Sequence, residues 1–222
     1  MTWKQLFTSS IGKKFLMALT GFFLIIYLIV HAGINAMIFY NDNGETFNKA
    51  AYFMSRNFFM RFLEIGLFAV FILHIIQGLL LWKKNRAARS IGYQKQNYPA
   101  GIKWYSRYMG WLGTFLLLFL VMHLYHFWAG TKNEMYFNGP QVNLYYEMKD
   151  VFTNPLFFTL YMVGLASLLF HLLQGFQSAF QTFGINHRRW TPILKGIGIF
   201  YSVAICILFA MMPVSFMAGW LQ

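Results

Sequence analysis

Charge is scarce in this chain. Only 11% of its 222 residues are Asp, Glu, Lys or Arg, against roughly 25% in a soluble domain, so an ordinary water-facing surface cannot be covered. Acids are scarcer still, six against eighteen basic residues. A single cysteine, Cys206, excludes an intrachain disulfide and an iron–sulfur cluster, which needs several thiolates. It reads as a buried apolar thiol. The sequence has no phosphate-cradling glycine loop, no nucleophile elbow and no Cys-rich metal motif. No catalytic residues are expected in the loops, which are too short to fold as an enzyme domain.

What is abundant is apolar. Hydrophobic residues make up 58% of the chain and aromatics 21%. Five windows hold no charged residue at all: Phe15–Asn41, Ile65–Trp82, Tyr108–Thr131, Val151–His187 and Gly196–Gln222. Each reaches the roughly 18–20 residues a helix needs to cross the hydrocarbon core. The expectation is an all-α membrane protein, a single domain over residues 1–222. Its five transmembrane helices lie at about 15–40, 62–82, 108–129, 155–183 and 192–218. Basic residues precede the first run, as in a signal peptide. That run is too long, however, and no small-residue cleavage site precedes Asn41, so the first span is expected to stay.

The net charge of +12 sorts by segment. With the N-terminus cytoplasmic, the inner segments hold Lys4, Lys13, Lys14, Lys83, Lys84, Arg86, Arg89, Lys95, Lys103, Arg107, Arg188, Arg189 and Lys195. The outer ones hold Lys49, Arg56, Arg61, Lys132 and Lys149, together with all six acids: Asp42, Glu45, Glu64, Glu134, Glu147 and Asp150. This is the positive-inside pattern. The basic excess is a topology signal and a docking surface for an acidic partner or anionic lipid, with no nucleic acid implied. It places the C-terminus outside. Trp82, Trp104 and Trp190 fall at the inner interface and Trp128 and Trp220 at the outer one, as an aromatic belt.

Local signals punctuate the spans. An amphipathic arm, Met1–Lys14, leads into the first. Gly139-Pro140 marks a turn in the outer loop 130–154. Asn154-Pro155 reads as an N-cap with proline at N1 opening the fourth span, and Gly184-Ile185-Asn186 ends it. Pro213 is expected to kink the fifth span near its outer end.

Five of the six histidines lie within spans: His31 on the first, His74 on the second, His123 and His126 on the third, His171 on the fourth. Intramembrane ionisable residues are costly and point to function. At about 1.5 Å rise per residue, His31 lies roughly 7 Å and His123 roughly 6 Å outside the midplane, and His74 and His171 roughly 4–5 Å inside it. The four therefore form two level pairs, His31 with His123 and His74 with His171, each drawn from two helices. That is the arrangement needed to ligate a haem iron from both sides. Bis-imidazole ligation suits electron transfer, and without a C-x-x-C-H the two haems are of b type.

The second and fourth spans share a pattern of apolar, His, two aliphatics, Gln, Gly, at 73–78 and 170–175. Gly78 and Gly175, one turn from their histidines, leave room for a flat macrocycle. Gln77 and Gln174 bond either a propionate or outer-shell group or a neighbouring helix. His126 lies at the outer edge of the haem, bonding a propionate or a quinone carbonyl, or is an interfacial histidine. His187, among Asn186, Arg188 and Arg189, reads as a solvated loop residue.

These residues resemble a known family, the single-polypeptide two-haem cytochrome b anchor of succinate dehydrogenases and fumarate reductases. The resemblance runs nearly the length of the chain. It includes Ser9-Ser10-Ile11-Gly12-Lys13-Lys14 leading into Met17-Ala18-Leu19-Thr20-Gly21, and Leu80-Leu81-Trp82 ahead of Asn85-Arg86-Ala87-Ala88-Arg89. It continues through Met122-His123-Leu124-Tyr125 and Gly175-Phe176-Gln177-Ser178-Ala179-Phe180-Gln181 to Trp190-Thr191-Pro192-Ile193-Leu194-Lys195.

The resemblance implies a multi-pass subunit of a bacterial inner membrane, not itself catalytic for succinate. Its implied partners are a flavoprotein and an iron–sulfur subunit on the cytoplasmic face, and a quinone, menaquinone by expectation, near the outer haem. Some fumarate-reducing members carry a carboxylate two residues before the fourth-span histidine. Here that position is Leu169, which argues against a compensating proton path. Glu64 reads as a first-turn acid complementing the helix dipole, with quinone protonation as the alternative.

Rival readings are a dihaem quinol-oxidising anchor of another respiratory oxidoreductase and a haem-free transporter or scaffold. The first concentrates its ligands on two helices. A transporter predicts intramembrane acids, broken helices or inverted repeats.

Overall fold

The computed structural model describes residues 9–87, 103–137, 143–185 and 187–221, with side chains described outside 134–137. The arm over residues 1–8, the inner loop over 88–102, the Gly139-Pro140 turn and Asn186 lie outside the described residues.

Among these residues the secondary structure is entirely helical. α1 spans Ser10–Asn35 and tightens into a 3₁₀ turn at Ala36–Tyr40. α2 is Glu45–Arg56, α3 Phe58–Ala87 and α4 the short Trp104–Arg107. α5 runs Met109–His123 and passes through a wider π segment, Leu124–Ala129, into α6, Gly130–Phe137. α7 is Leu144–Thr153, α8 Pro155–Thr182 and α9 Trp190–Met217. Five helical stretches are long and apolar enough to cross a membrane: Ser10–Tyr40, Phe58–Ala87, Met109–Asn133, Pro155–Thr182 and Trp190–Met217. The chain is a multi-pass helical membrane protein.

The helices overrun the charge-free windows because long basic side chains carry their charge to the interface from within a helix. α1 begins at a Ser9 cap whose hydroxyl accepts from the Gly12 N–H at 3.0 Å, and α3 starts four residues before the expected 62. The segments that carry the acids are not plain loops. α2 and α7 lie there, joined by Asn48, whose amide donates to Asn143 Oδ1 at 2.8 Å and whose own oxygen accepts from the Tyr145 N–H. Short amphipathic helices bounded by Asn and Gly were hidden by their turn-like composition. Gly44 makes the junction possible. It sits at φ 78°, and a Cβ there would come within 2.2 Å of the fully buried Tyr145 ring.

The fourth span opens and closes as its sequence signals predict. The Asn154 side chain accepts from the Leu156 and Phe157 N–H groups, with Pro155 at N1. At the other end, Gly184 N–H bonds Gln181 O and Ile185 N–H bonds Phe180 O, with Gly184 at φ 82°, a Schellman cap. Replacing Asn154 by alanine is expected to cost about 1 kcal/mol, read as a lower thermal midpoint in detergent. An unchanged midpoint would show that the cap contributes nothing.

α8 is the central helix, packed on α9, α5 and α1, while α3 lies to one side against α1 and α5. The tightest core is at the end that carries the acids, where Ile38, Phe47, Tyr145, Phe152, Tyr161 and Phe216 close together. Pro213 is fully buried within α9, which continues to Met217. A smaller cluster of Ile25, Leu172, Phe176 and Cys206 holds α1, α8 and α9 at mid-bundle, with Leu169 packed against it. The opposite, basic end holds Lys83, Lys84, Arg107, Arg188 and Arg189, all exposed.

Candidate functional site

His31 of α1 faces His123 of α5, with ring centroids 5.8 Å apart. His74 of α3 faces His171 of α8 at 6.3 Å. Two imidazoles bound on opposite sides of one metal ion, each at about 2.0–2.1 Å, have centroids about 6.3 Å apart. Each observed pair is close to that spacing. The rings of each pair are steeply inclined, at 85° and 68°.

The two pairs lie at different levels. Thr20 of α1 touches His74, and His31 is eleven residues further along α1, about 16 Å by helical rise. On α5, Gly113 stands beside His171, and His123 is ten residues on, about 15 Å. Both helices thus give one spacing, a few ångströms more than the depths read from the sequence.

Three of the four rings have neighbours that set their orientation. The Thr20 hydroxyl donates to Leu16 O at 2.8 Å and lies 3.1 Å from His74 Nδ1. Its single hydrogen being used on the carbonyl, Thr20 accepts from Nδ1–H, which leaves the lone pair of His74 on Nε2. Tyr27 stacks on His31 at 5.4 Å, and Phe119 stacks on His123 at 5.8 Å. Asn35 donates to His31 O at 2.8 Å. A Cβ on Gly21 would approach His74 Cε1 at 3.3 Å, and one on Gly113 would approach His171 Cε1 at 3.8 Å, so these two glycines flank the His74–His171 pair. Sequence reasoning missed Thr20 and Gly113 because Thr and Gly are common in membrane helices and the contacts are long-range.

The residues fit a haem by their donor set. Among the described residues no three His, Cys, Asp or Glu side chains converge into a metal cage. Two imidazoles per site suit an iron whose other four positions are filled by a macrocycle. His123 Nδ1, His171 Nδ1 and Gln77 Oε1 are buried without a protein hydrogen-bond partner. Leaving such atoms unpaired costs about 1–3 kcal/mol each, which a bound polar group would relieve.

Comparison of the chain with protein-family models, with curated proteins and with solved structures finds no match. The functional reading therefore rests on the histidine geometry.

The other sequence candidates fall at varied distances from the pairs. Gln77 is 6% exposed and Gln174 partly buried. A Cβ on Gly78 would lie 3.4 Å from the methyl of Met17 and one on Gly175 3.7 Å from that of Met109, flexible chain ends that can repack. His126 turns to α8, its Nδ1 3.2 Å from the Tyr161 hydroxyl and its ring stacked on the same tyrosine. The π segment carries this turn, because its extra residue shifts His126 off the face of His123. His187 is exposed, as expected.

Glu64 departs from its expected place. α3 begins at Phe58, so Glu64 is past the first turn. It accepts from Trp128 Nε1 at 2.5 Å and pairs with Lys132 at 3.0 Å, tying α3 to the π segment and α6.

Proposed function

We propose that this chain is the dihaem cytochrome b membrane anchor of a succinate dehydrogenase or fumarate reductase complex. In this reading it lies in a bacterial cytoplasmic membrane with its basic end inside and its C-terminus outside. It carries electrons between an iron–sulfur subunit docked at the basic end and a quinone, menaquinone by preference, near the outer haem. The observation that carries the reading is the pair of facing histidines at each of two levels, four ligands on four helices, at the spacing of two imidazoles on one metal.

His31 and His123 would hold the outer haem, and His74 and His171 the inner one. When bound, the haems would supply a reversible one-electron couple, which suits electron transfer. The protein's part is to fix the four imidazoles. Thr20 sets the tautomer of His74, Tyr27 and Phe119 hold the planes of His31 and His123, and the surrounding apolar helices exclude water. Succinate chemistry belongs to the partner subunits.

Thr20→Val keeps the side-chain shape and removes the acceptor for His74. A ligand that loses this bond is less basic, so the inner haem potential is expected to rise by about 40 mV, the equivalent of ~1 kcal/mol. Thr20→Ser is expected to restore it. A redox titration in which both haems keep their potentials in the valine variant would remove Thr20 from this role.

The assignment of partners is tested on the gently purified native complex by a succinate-reduced minus oxidised visible spectrum. Low-spin b-type bands are expected. Bands that appear with dithionite but never with succinate would leave the haem sites standing and overturn the partner assignment.

A further inference from the structure

The basic end has no acid of its own. Segments 1–14, 83–107 and 188–195 contain no Asp or Glu. A shallow, solvent-open cleft lies there between α4, α8 and α9. Its polar lining includes Lys103, Lys195 and Gln177, and its apolar walls include Leu173, Phe176 and Ile199.

α4 is pinned over α8 by Trp104 and Tyr105, whose rings lie 4.5 and 5.9 Å from that of Phe170. This holds Lys103 beside the cleft, its Nζ 5.3 Å above the Tyr105 ring. Lys195 is five residues into α9, about 7 Å along the axis, level with the apolar walls. Arg188 and Arg189 sit at the positive end of the α9 dipole, where cations are unfavourable, and α9 has no acid in its first turn.

Such a site calls for a ligand with a negative head and an apolar tail. We propose that this cleft binds an anionic phospholipid, its phosphate between Lys103 and Lys195 and the start of one acyl chain along Phe176, Leu173 and Ile199. Basic clefts between helices at a membrane interface favour such headgroups. Free phosphate shares the charge but leaves the walls unused.

The test uses the full chain purified in mild detergent, with native mass spectrometry and thermal unfolding as readouts. Phosphatidylglycerol is expected to be retained and to raise the unfolding midpoint, while phosphatidylcholine and inorganic phosphate at equal concentration do neither. Lys103→Ala with Lys195→Ala is expected to weaken phosphatidylglycerol about 30-fold, at about 1 kcal/mol per lysine. Lys83→Ala with Lys84→Ala, at the end of α3, is expected to change it little. Equal binding of the two lipids, equal stabilisation by phosphate, or equal loss in both double variants would overturn the proposal. So would loss of a co-purifying acidic subunit from the Lys103/Lys195 variant with lipid retention unchanged. None of these outcomes depends on haem content.

Discussion

Chains carrying His123→Ala are expected to hold one haem in place of two, with the inner haem spectrum intact. His31→Ala is expected to give the same result, because the two rings face each other at 5.8 Å and neither alone fills both axial positions. His74→Ala and His171→Ala are expected to remove the other haem and spare the outer one, the two sites being about 16 Å apart along α1. Haem quantified per chain after extraction, with a low-temperature spectrum to tell the sites apart, reads the effect directly. His126→Gln is the control. Its ring is occupied by Tyr161, and both haems are expected to remain. Loss of the outer haem in that variant would shift the ligand assignment from His123 to His126.

Gly164→Ala is expected to destabilise the protein and loosen the outer site, although alanine alone would favour the helix by about 1 kcal/mol. An added Cβ would lie 2.2 Å from Cδ2 of Phe119, so α8 and α5 must part or the ring must move. Phe119 is the ring stacked on His123. Overpacking of this kind costs about 1–3 kcal/mol, and Gly164→Leu is expected to cost more and to release the outer haem. The double variant Gly164→Ala with Phe119→Ala removes the clash, so the penalty of the Gly164 change is expected to vanish in that background. A thermal midpoint of Gly164→Ala equal to wild type would show that this close approach is not required.

The spans were legible because each is a long run without charge, a signal that survives any error in propensity. The ends of α8 were legible too, since Asn154-Pro155 and Gly184 state their chemistry locally. The facing of His31 with His123 and of His74 with His171 followed from residue counts alone, because straight helices of known direction convert sequence position into depth.

What stayed hidden depends on contacts between distant segments. α2 and α7 are short, and their composition is that of turns; their stability comes from burying Phe47, Tyr145 and Met148 against the bundle end. The π segment after His123 has no periodicity of its own, and so the turning of His126 toward Tyr161 could not be read. Glu64 looked like a helix start because its charge interrupts the apolar run. In fact α3 continues past it to Phe58, and Lys132 with Trp128 satisfies the carboxylate.

Each level pair of histidines is proposed to hold one b-type haem. This is tested most directly by counting extractable haem per purified chain and recording the electron paramagnetic resonance of the oxidised iron. Two non-covalent haems per chain are expected, both low-spin as bis-imidazole ligation requires. A chain that folds and inserts with no haem, or whose haem is high-spin with an open axial position, would contradict it.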